Sequence, residues 1–540
     1  MRGSGTYVSR AAVPGLVAVG AVAVAIPLLG HLAGSPLSRI GLLPDDAFYY
    51  LGLARSFAVD GVWSFDSGVS TTSGFHPLHA YVLAALYAAL QPGTEAFVLL
   101  GMLVTVAAGL PALALGTSYT IRTNRIAPAM LFLILMLSRN VSMNLVSAME
   151  WSWVVSLAGV YLMLSGGIAG GRHRRLAVAL FCCGLAGSLA RADFGLLPAS
   201  ILAAAWLCLR AEHGWKPVLC AASGVAGAAS GVLLLFVHNF AFTGEAVQSS
   251  ARMKQLWMEQ YGPTARPIMN QVFALFGDKT LVTETLVSAL IPISIWVGVA
   301  WVRQRRQGTA ENSGATPWRD DASRLLWTGS ALSTAGYIVL YALNPVSVQL
   351  WYTANLVAPL FLMIALPAAH LRTRTPLGTA AIAILGLLCA RQMLAGSAPR
   401  SDPEWPYQRA AYDAAQYLKE AKLPGHVGSW NAGILGYFEG GHIVNLDGLV
   451  NNDIYSYARE MRLAAYVDAV PITYICDFET MLSNPQKVRR GGYDGPAFLS
   501  RLEPIHYFDT PESVQGRLVL YRLNPAGQTV QDHGASASPP

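Results

Sequence analysis

Long apolar runs alternate with short polar segments along the first 397 residues of the chain. The runs lie near residues 11–34, 78–91, 95–117, 126–138, 150–168, 176–190, 194–210, 217–240, 281–302, 323–343, 352–370 and 377–396. About 20 predominantly apolar helical residues cross the hydrocarbon core of a bilayer. The pattern therefore predicts a polytopic α-helical membrane protein with about 11–13 transmembrane helices. The first run exceeds the roughly 7–15 apolar residues of a signal peptide core, so we interpret it as an uncleaved span.

Basic clusters between the runs predict which helix ends face the cytoplasm. Lysine and arginine favour cytoplasmic loops. The clusters read GRHRR at 171–175, RQRR at 303–306 and LRTR at 371–374. If all three lie inside, then residues 35–76, Glu150 and everything after about residue 397 lie outside.

Three apolar runs between residues 76 and 150 conflict with this orientation, because an even number of spans must join two outer ends. We predict that the run at 126–138, the shortest of the three, does not cross fully. Arg122 and Arg125 precede this run and favour the cytoplasmic side. Their charge is evidence that one of the other two runs is the one that does not cross, so the choice stays open.

The composition of the chain changes after residue 397 and becomes polar, mixed and rich in turns. RAAYDAAQYLKEA (409–421) has helical spacing, and four later stretches are typical of short strands: HVGSW, HIVNLDGLV, ITYICDF and RLVLYRL. We predict a transmembrane domain at 1–397, a small extracytoplasmic α/β domain at 398–525 and a disordered tail at 526–540.

Overall composition supports the membrane assignment and excludes other classes. Charged residues make up 13% of the 540 residues, against about 25% in soluble domains. The net charge of +6 comes from short loop clusters, so it does not predict a nucleic-acid surface. Five of the six cysteines lie in apolar runs, and no metal or disulfide pattern is evident.

The ionisable side chains that interrupt the apolar pattern gather on the predicted outer side. Asp45 and Asp46 follow the first run within about two helical turns, and charged groups beside a bilayer are costly to desolvate. Structural roles remain open for all of them. The two acids can start a helix, Glu150 can lie in a first helical turn, and Arg191 can pair with Asp193.

Five motifs resemble those of the GT-C superfamily of integral-membrane glycosyltransferases, and they keep that family's order over residues 10 to 525. They read LPDDAFYYLGLAR (43–55), STTSGFHPLHAY (70–81), SAMEWSW (147–153), LARADF (189–194) and WNAGILGYFEGGHIVNLDGLVNN (430–452). Ala148 and Trp151 stand where the family motif has glycine and threonine. The resemblance implies a first outer loop at 35–76 that carries catalytic acids, and a lipid-linked donor that enters from the outer leaflet.

The resemblance also implies roles for individual residues. Asp45 is expected to be the general base on the acceptor hydroxyl, with Asp46 as its support and Glu150 as a further catalytic acid. Asp46 and Glu150 also suit Mg²⁺ or Mn²⁺, which prefer oxygen ligands. Candidates for the donor phosphate are His76, Arg191, Arg252 and Lys254. Candidates for contact with acceptor or donor are Tyr49, Trp351, Tyr352, Trp430, Asn431 and Asp447.

Simpler explanations compete with the contact roles. An interfacial aromatic belt accounts for Trp351 and Tyr352. Turn stabilisation accounts for Asn431, Asp447 and Asn451.

The sequence therefore predicts a hexosyl- or pentosyltransferase in the inner (plasma) membrane. It would move a sugar from a polyprenyl-phosphate donor to a cell-envelope glycan, lipid or protein, with its active site and C-terminal domain outside the cytoplasm. A lipid or solute transporter or flippase is one alternative, although such sites lie near the midplane of the membrane. A non-catalytic envelope scaffold is the other.

Overall fold

The structure is a computed structural model, which describes most of the chain. Apart from scattered positions between 14 and 30, it covers residues 32–123, 125–171, 173–259, 262–277, 280–307, 317–345, 348–370, 376–396, 405, 407–483, 490–510 and 516–526. The predicted first span at 11–34 and the predicted tail at 526–540 therefore lie largely outside the described residues.

Helices form most of the described chain up to residue 396. Their bounds are α1 Pro36–Ile40, α2 Asp45–Asp60, α3 Pro77–Leu90, α4 Thr94–Thr123, α5 Ile126–Leu137, α6 Arg139–Leu145, α7 Trp151–Gly166, α8 His173–Ala190, α9 Leu196–His213, α10 Lys216–Thr243, α11 Ser249–Met258, α12 Arg266–Phe276, α13 Leu281–Gln307, α14 Pro317–Leu343, α15 Ala354–His370 and α16 Pro376–Gly396. Short 3₁₀ turns lie at Ile168–Gly170, Ala192–Gly195 and Leu350–Thr353.

The protein is a multi-pass membrane protein. Among the described residues, seven helices are long and apolar enough to cross a bilayer, and the bent pair α5–α6 raises the number to eight. The helices α3 and α16 are apolar but shorter in their described parts. Many large apolar side chains on the long helices are exposed, such as Leu219, Leu233 and Trp296. These side chains suit contact with lipid.

Helix α3 lies on the same side as the C-terminal domain, so the run at 78–91, and not the run at 126–138 that we suspected first, is the one that does not cross. Its N-terminal neighbour His76 lines a cavity shared with Leu449 of the C-terminal domain. Just beyond its C-terminus, the Thr94 carbonyl accepts a hydrogen bond from the Tyr437 hydroxyl of that domain, at 2.7 Å. Because both ends meet the same domain, α3 does not cross the bilayer. The helix α4 and the bent pair α5–α6 are then the candidate crossings between residues 76 and 150, and Arg122 lies at the end of α4 away from the C-terminal domain.

The outer loop before α3 is an ordered structure built around helix α2. Pro44 precedes the helix in an extended conformation, Asp45 and Asp46 occupy its first turn, and Gly61 ends it in the left-handed conformation. The buried carboxylate of Asp66 then fixes the following turn. It accepts hydrogen bonds from the Ser70 amide at 2.8 Å, the Ser70 hydroxyl at 2.7 Å and the Ser64 hydroxyl at 2.9 Å.

The C-terminal region is a small α/β domain, in agreement with the predicted fold class. Its elements are α17 Gln408–Ala421, β1 His426–Ser429, α18 Gly433–Glu439, β2 Ile443–Asn445, α19 Ile454–Arg459, α20 Leu463–Ala469, β3 Ile472–Phe478, α21 Glu479–Ser483, α22 Pro496–Leu499, β4 Leu502–Phe508 and β5 Leu518–Leu523. The sheet order is β2-β1-β3-β5-β4. Strand β1 is parallel to β2 and β3, and β5 is antiparallel to β3 and β4.

Four of the five strands match the predicted ones. The edge strand β4 was not predicted, because Pro504 interrupts its pattern and a bulge follows at Pro504/His506. Proline is tolerated at sheet edges, where no further strand needs its amide.

Candidate functional site

A cavity of about 220 Å³ lies where the segment 35–76, predicted to be the first outer loop, meets one end of the helix bundle and the C-terminal domain. We call it the outer cavity. Eight of the sequence-predicted residues line it: Asp46, Tyr49, His76, Glu150, Arg191, Lys254, Trp351 and Tyr352. Its other walls include Leu449 and Val450 of the C-terminal domain and the N-terminal turn of α11. The side chains come from segments more than 300 residues apart in sequence.

Arg191 is the central cation of the outer cavity. Its Nη1 donates to Glu150 Oε1 at 3.0 Å, and its Nε and Nη2 donate to the two Asp193 carboxylate oxygens at 3.1 and 3.2 Å. The guanidinium also lies 4.7 Å from the centre of the Tyr352 ring. Arg191 therefore forms the ion pair with Asp193 that the sequence analysis considered possible. It forms a second ion pair with Glu150, which is more distant in the sequence.

Asp193 has partners for both of its carboxylate oxygens. Besides Arg191, the Tyr341 hydroxyl donates a short hydrogen bond to Oδ2, and Asn355 Nδ2 donates to Oδ1 at 2.8 Å. Asp193 therefore holds Arg191 in place and is not available as a base.

Of the carboxylates that line the outer cavity, Asp46 has the fewest hydrogen-bond and ion-pair partners among the described residues. It makes no hydrogen bond or ion pair within the described part of the chain, and its charged neighbours are Lys254 and Glu150. Burial raises the pKa of Asp46 above its ordinary value, the charge of Lys254 opposes that rise, and the charge of Glu150 adds to it. A carboxylate of this kind can accept a proton from a bound hydroxyl group.

Lys254 lies in α11 and adds a second positive charge. Its Nζ donates to the Tyr352 hydroxyl at 2.7 Å. Burial alone would lower the pKa of Lys254, but Tyr352 and Asp46 raise it above the ordinary value. Lys254 and Arg191 thus place two permanent cations along the same wall of the cavity, which suits an anionic group such as a phosphate.

His76 and Glu150 face each other with unused hydrogen-bonding capacity. His76 Nε2 lies 3.9 Å from Glu150 Oε1. The buried atoms His76 Nδ1 and Glu150 Oε2 have no hydrogen-bond partner among the described residues. Burial lowers the pKa of His76 to about 4, so the imidazole is neutral at pH 7. Burial would raise the pKa of Glu150, but the positive charge of Arg191 helps to keep it below its ordinary value.

A strained turn directs Glu150 into the cavity. Ala148 adopts a left-handed conformation with φ of 54°, which is uncommon for residues with a Cβ atom. Its carbonyl oxygen lies 2.8 Å from His79 Nε2, which fixes the turn. The left-handed φ explains why the related family motif has glycine where this chain has Ala148. Such strain is often retained at functional sites.

Asp45 does not line the outer cavity, contrary to our expectation for a general base. Its Oδ1 accepts from the Ile434 amide at 2.9 Å, and its Oδ2 accepts from the Gly433 amide at 3.0 Å. Burial raises the pKa of Asp45 to about 7, although these two amides lower it. The side chain that was predicted to do chemistry is occupied by contacts with the C-terminal domain.

Four other predicted residues also lie away from the cavity lining. Arg252 pairs with Glu245 at 2.9 Å and lies over the Tyr455 ring, 4.0 Å from its centre. Trp430 packs inside the C-terminal domain, 5.4 Å from the Tyr493 ring and 6.0 Å from the Trp257 ring.

Asn431 and Asp447 complete this set. Asn431 is half-buried between β1 and α18. Asp447 is buried and accepts from the Leu449 amide at 2.7 Å. Its neighbour Asn451 donates to the Asn445 carbonyl at 3.0 Å. For Asp447 and Asn451 the structure supports the alternative of turn stabilisation.

The sequence analysis missed several residues of the cavity. Tyr50 follows Asp46 by four positions, on the same face of α2, and the spacing of the acids and tyrosines in DDAFYY could have indicated it. Gln248, Ser250, Leu449 and Val450 gave no comparable signal. They reach the cavity only through the tertiary fold.

A second charged cluster lies at the opposite end of α9 and has a different character. We call it the inner cluster; it consists of Glu212, His213, Asp321 and Arg324. Ligand atoms of the first three lie within 4.8 Å of one another. Arg324 Nη2 bonds to Asp321 and, at 3.2 Å, to Glu212, while His213 Nε2 lies 2.8 Å from Asp321. The guanidinium therefore already supplies the positive charge that these acids need.

Comparison with known proteins gives similarity to two solved structures over most of the chain. ArnT from Cupriavidus metallidurans, solved bound to undecaprenyl phosphate, matches with a TM-score of 0.53 and 11% identity, covering 95% of this chain and 98% of that one. An oligosaccharyltransferase from Archaeoglobus fulgidus, solved in complex with Zn and sulfate, matches with a TM-score of 0.50 and 14% identity, covering 89% and 69%.

Sequence comparison adds less. A family described as a domain of unknown function, DUF8728, matches residues 403–521, which is most of the C-terminal domain. The search of curated proteins found no match to this sequence. The structural similarity, with the spans and the small C-terminal sheet, identifies the architecture. The chain therefore shares the fold of these two solved structures.

Proposed function

We propose that this protein is a membrane glycosyltransferase that transfers a sugar from a polyprenyl-phosphate donor to a hydroxyl group. The observation that carries the proposal is the outer cavity, which combines the unengaged carboxylate of Asp46 with the cations Arg191 and Lys254. Such a transfer needs a base for the incoming hydroxyl and positive charge for the departing phosphate.

In the proposed reaction the acceptor oxygen attacks the anomeric carbon of the donor sugar. The bond between that carbon and the phosphate oxygen breaks, and polyprenyl phosphate leaves with the bonding electrons. Asp46 receives the proton of the acceptor hydroxyl. Lys254 and Arg191 stabilise the charge that develops on the phosphate. We place the base at Asp46, not Asp45, because only Asp46 lines the cavity.

The remaining lining residues would bind and orient the sugar. The free Oε2 of Glu150 can accept a hydrogen bond from a sugar hydroxyl, and the free Nδ1 of neutral His76 can donate or accept one. Tyr49, Trp351 and Tyr352 supply aromatic walls. Arg252, Trp430, Asn431 and Asp447 have no direct part in this proposal.

A divalent cation fits the residues present. Asp46 and Glu150 Oε2 are oxygen ligands without another partner in the described part of the chain, and Mg²⁺ or Mn²⁺ commonly binds through one or two carboxylates while keeping several waters. Such an ion would supply additional positive charge beside the phosphate. The chain's own cations, Arg191 and Lys254, would bind the phosphate with or without it.

The geometry favours an enzyme over the two alternatives. The charged side chains of the outer cavity lie at the ends of helices beside the C-terminal domain, whereas transport sites lie near the midplane. A scaffold has no need for an unengaged, half-buried carboxylate in a cavity that also contains two cations. We further propose that the cavity faces outward from the inner (plasma) membrane, because Arg122 and Arg125 lie at the opposite ends of the helices. The acceptor would then be an envelope glycan, lipid or protein.

The direct test incubates the purified full-length protein in lipid nanodiscs with a panel of polyprenyl-phosphate pentoses and hexoses. Each donor is supplied with candidate acceptors, with and without a chelator, and release of polyprenyl phosphate is measured. We expect one donor to be consumed in an acceptor-dependent way. Consumption of no donor, or equal consumption by wild-type protein and Asp46→Asn, would refute the proposal. Asp60→Asn is the matched control, because Asp60 is exposed at the far end of the same helix.

A further inference from the structure

Asp45 joins the outer loop to the C-terminal domain across 388 positions of sequence. Its two carboxylate oxygens accept the Gly433 and Ile434 amides at 3.0 and 2.9 Å, where α18 begins. The approach is close: a Cβ atom on Gly433 would lie 2.4 Å from the Asp45 carbonyl oxygen. Hydrogen bonds to a charged acceptor are about twice as strong as those between neutral groups.

Tyr49 continues the same contact one helical turn later. Its hydroxyl accepts from the Ala432 amide at 3.1 Å and from Asn445 Nδ2 at 3.0 Å. The other end of the Asn445 amide, Oδ1, accepts from the Gly448 amide at 3.0 Å. The face of α2 that carries Asp45 and Tyr49 thus connects, through Asn445, to the loop between β2 and α19. We call residues 446–453 the closing loop.

The closing loop forms one wall of the outer cavity, through Leu449 and Val450. A second set of contacts fixes it against the outer loop. The Asn452 amide donates to the Thr71 carbonyl at 3.1 Å, and the Ser73 amide donates to Asn452 Oδ1 at 3.0 Å. Gly74 approaches so closely that a Cβ atom there would lie 1.6 Å from the Leu449 carbonyl oxygen.

From these contacts we propose that Asp45 is a positioning residue, whose carboxylate holds the start of α18 so that the closing loop completes the outer cavity. The adjacent acids then have separate roles. Consecutive helical residues are about 100° apart around the axis. The Asp45 carboxylate and the Tyr49 hydroxyl therefore contact the C-terminal domain. Asp46 and Tyr50 face the cavity, which the Tyr49 ring also lines.

The experiment combines hydrogen–deuterium exchange with kinetics on the full-length protein in nanodiscs. In Asp45→Asn, one of the two acceptor oxygens becomes an NH₂ donor, which cannot accept the hydrogen bond from the Gly433 or Ile434 amide. We therefore expect faster exchange at residues 432–436 and 446–453. Asp46→Asn should leave exchange there unchanged. This part of the test needs no substrate and stands even if the proposed function fails.

The kinetic part rests on the proposed function. Asp45→Asn should lower kcat/KM about 10- to 100-fold, chiefly through a higher acceptor KM, since loss of a charged hydrogen bond typically has this size. The acid limb of the pH profile should persist in Asp45→Asn, because Asp46 still acts as the base. Unchanged exchange in Asp45→Asn, or loss of kcat with the acid limb of the pH profile abolished, would overturn the inference.

Gly74→Ala provides an independent variant that changes no ionisable group. Its methyl group must push the closing loop away, so exchange at 446–453 should increase and the acceptor KM should rise while the pH midpoint stays fixed. Gly93→Ala is the matched control, because a Cβ atom there meets nothing within 4 Å. If Gly74→Ala displaces the loop without any change in KM or kcat, the closing loop does not form part of the site and the proposal fails.

Discussion

The two ends of helix α9 carry similar charged groups in different states. At one end, the outer cavity contains Arg191 with Glu150, Asp193 and His76. At the other, the inner cluster contains Arg324 with Glu212, Asp321 and His213.

The partners of these groups separate the two clusters. In the inner cluster, Arg324 and His213 together bind Glu212 and Asp321. In the outer cavity, Glu150 Oε2, His76 Nδ1 and the Asp46 carboxylate have no hydrogen-bond partner among the residues that the structure describes. Unmet hydrogen-bonding capacity beside a cavity, more than the presence of charge, distinguishes a candidate active site from a structural ion pair.

The largest expected effect of this difference is on Asp46. Asp46→Asn removes the proposed base without changing shape, so turnover should fall about 100- to 10,000-fold. The measurement is the release of polyprenyl phosphate under saturating substrate. Asp60→Asn should retain wild-type turnover, and a similar loss in both variants would show that the effect is not specific to the cavity.

Arg191→Gln should show the next largest effect, on both activity and stability. It leaves the buried carboxylate of Glu150 and the partly buried one of Asp193 without their cation, and loss of the partner of a buried charge typically costs about 3–5 kcal/mol. We expect a lower Tm in thermal unfolding and a loss of turnover. Arg191→Lys should not restore either, because one ammonium group cannot bond to both acids as the guanidinium does. Full rescue by lysine would contradict this account of the cluster.

The pH dependence of turnover should follow Asp46. Its pKa is raised by burial, so the ionised fraction, and with it the rate, should fall about tenfold per pH unit below a midpoint that lies above the ordinary carboxyl value of about 4. Lys254→Gln should move that midpoint to higher pH, because the charge of Lys254 lowers the pKa of Asp46. His76→Gln should leave it in place, because the imidazole is neutral above about pH 4. A midpoint that follows His76 would point to a different base.

A smaller effect separates two cations of helix α11. Lys254→Gln should raise the donor KM about tenfold, since it removes a charged contact with the phosphate. Arg252→Gln should change it less than about twofold, because Arg252 pairs with Glu245 outside the cavity lining. Equal effects of the two variants would favour a diffuse electrostatic attraction over a defined phosphate site.

The smallest effect is expected in the inner cluster. Arg324→Gln should lower the Tm, because Asp321 loses a buried partner. The folded fraction should keep its turnover within about twofold. A large loss of turnover at unchanged folding would remove the distinction between the two ends of α9.

The sequence was sufficient to predict features that depend on the local pattern of apolar and polar residues. Charged residues at the ends of apolar runs are conspicuous, which is why Glu150 and Arg191 were predicted, and positive charge on a predicted outer loop indicated Lys254. The strands of the C-terminal domain follow from their alternation, apart from β4 with its proline.

Other features depend on the tertiary fold and were beyond the sequence. Asp45 and Asp46 are adjacent and chemically identical, and only the packing of α18 gives them different partners. The apolar pattern of α3 does not distinguish a helix packed on one side against other segments from a span, and only its tertiary contacts do so. Leu449 and Val450 have no chemical signature at all.

A structure of the protein in nanodiscs with polyprenyl phosphate would test the central claim most directly. We predict that the phosphate lies in the outer cavity, within hydrogen-bonding distance of Lys254 Nζ and the Arg191 guanidinium, with Asp46 facing the space above it. A phosphate bound at the inner cluster, or at a surface remote from Asp46, would contradict the account.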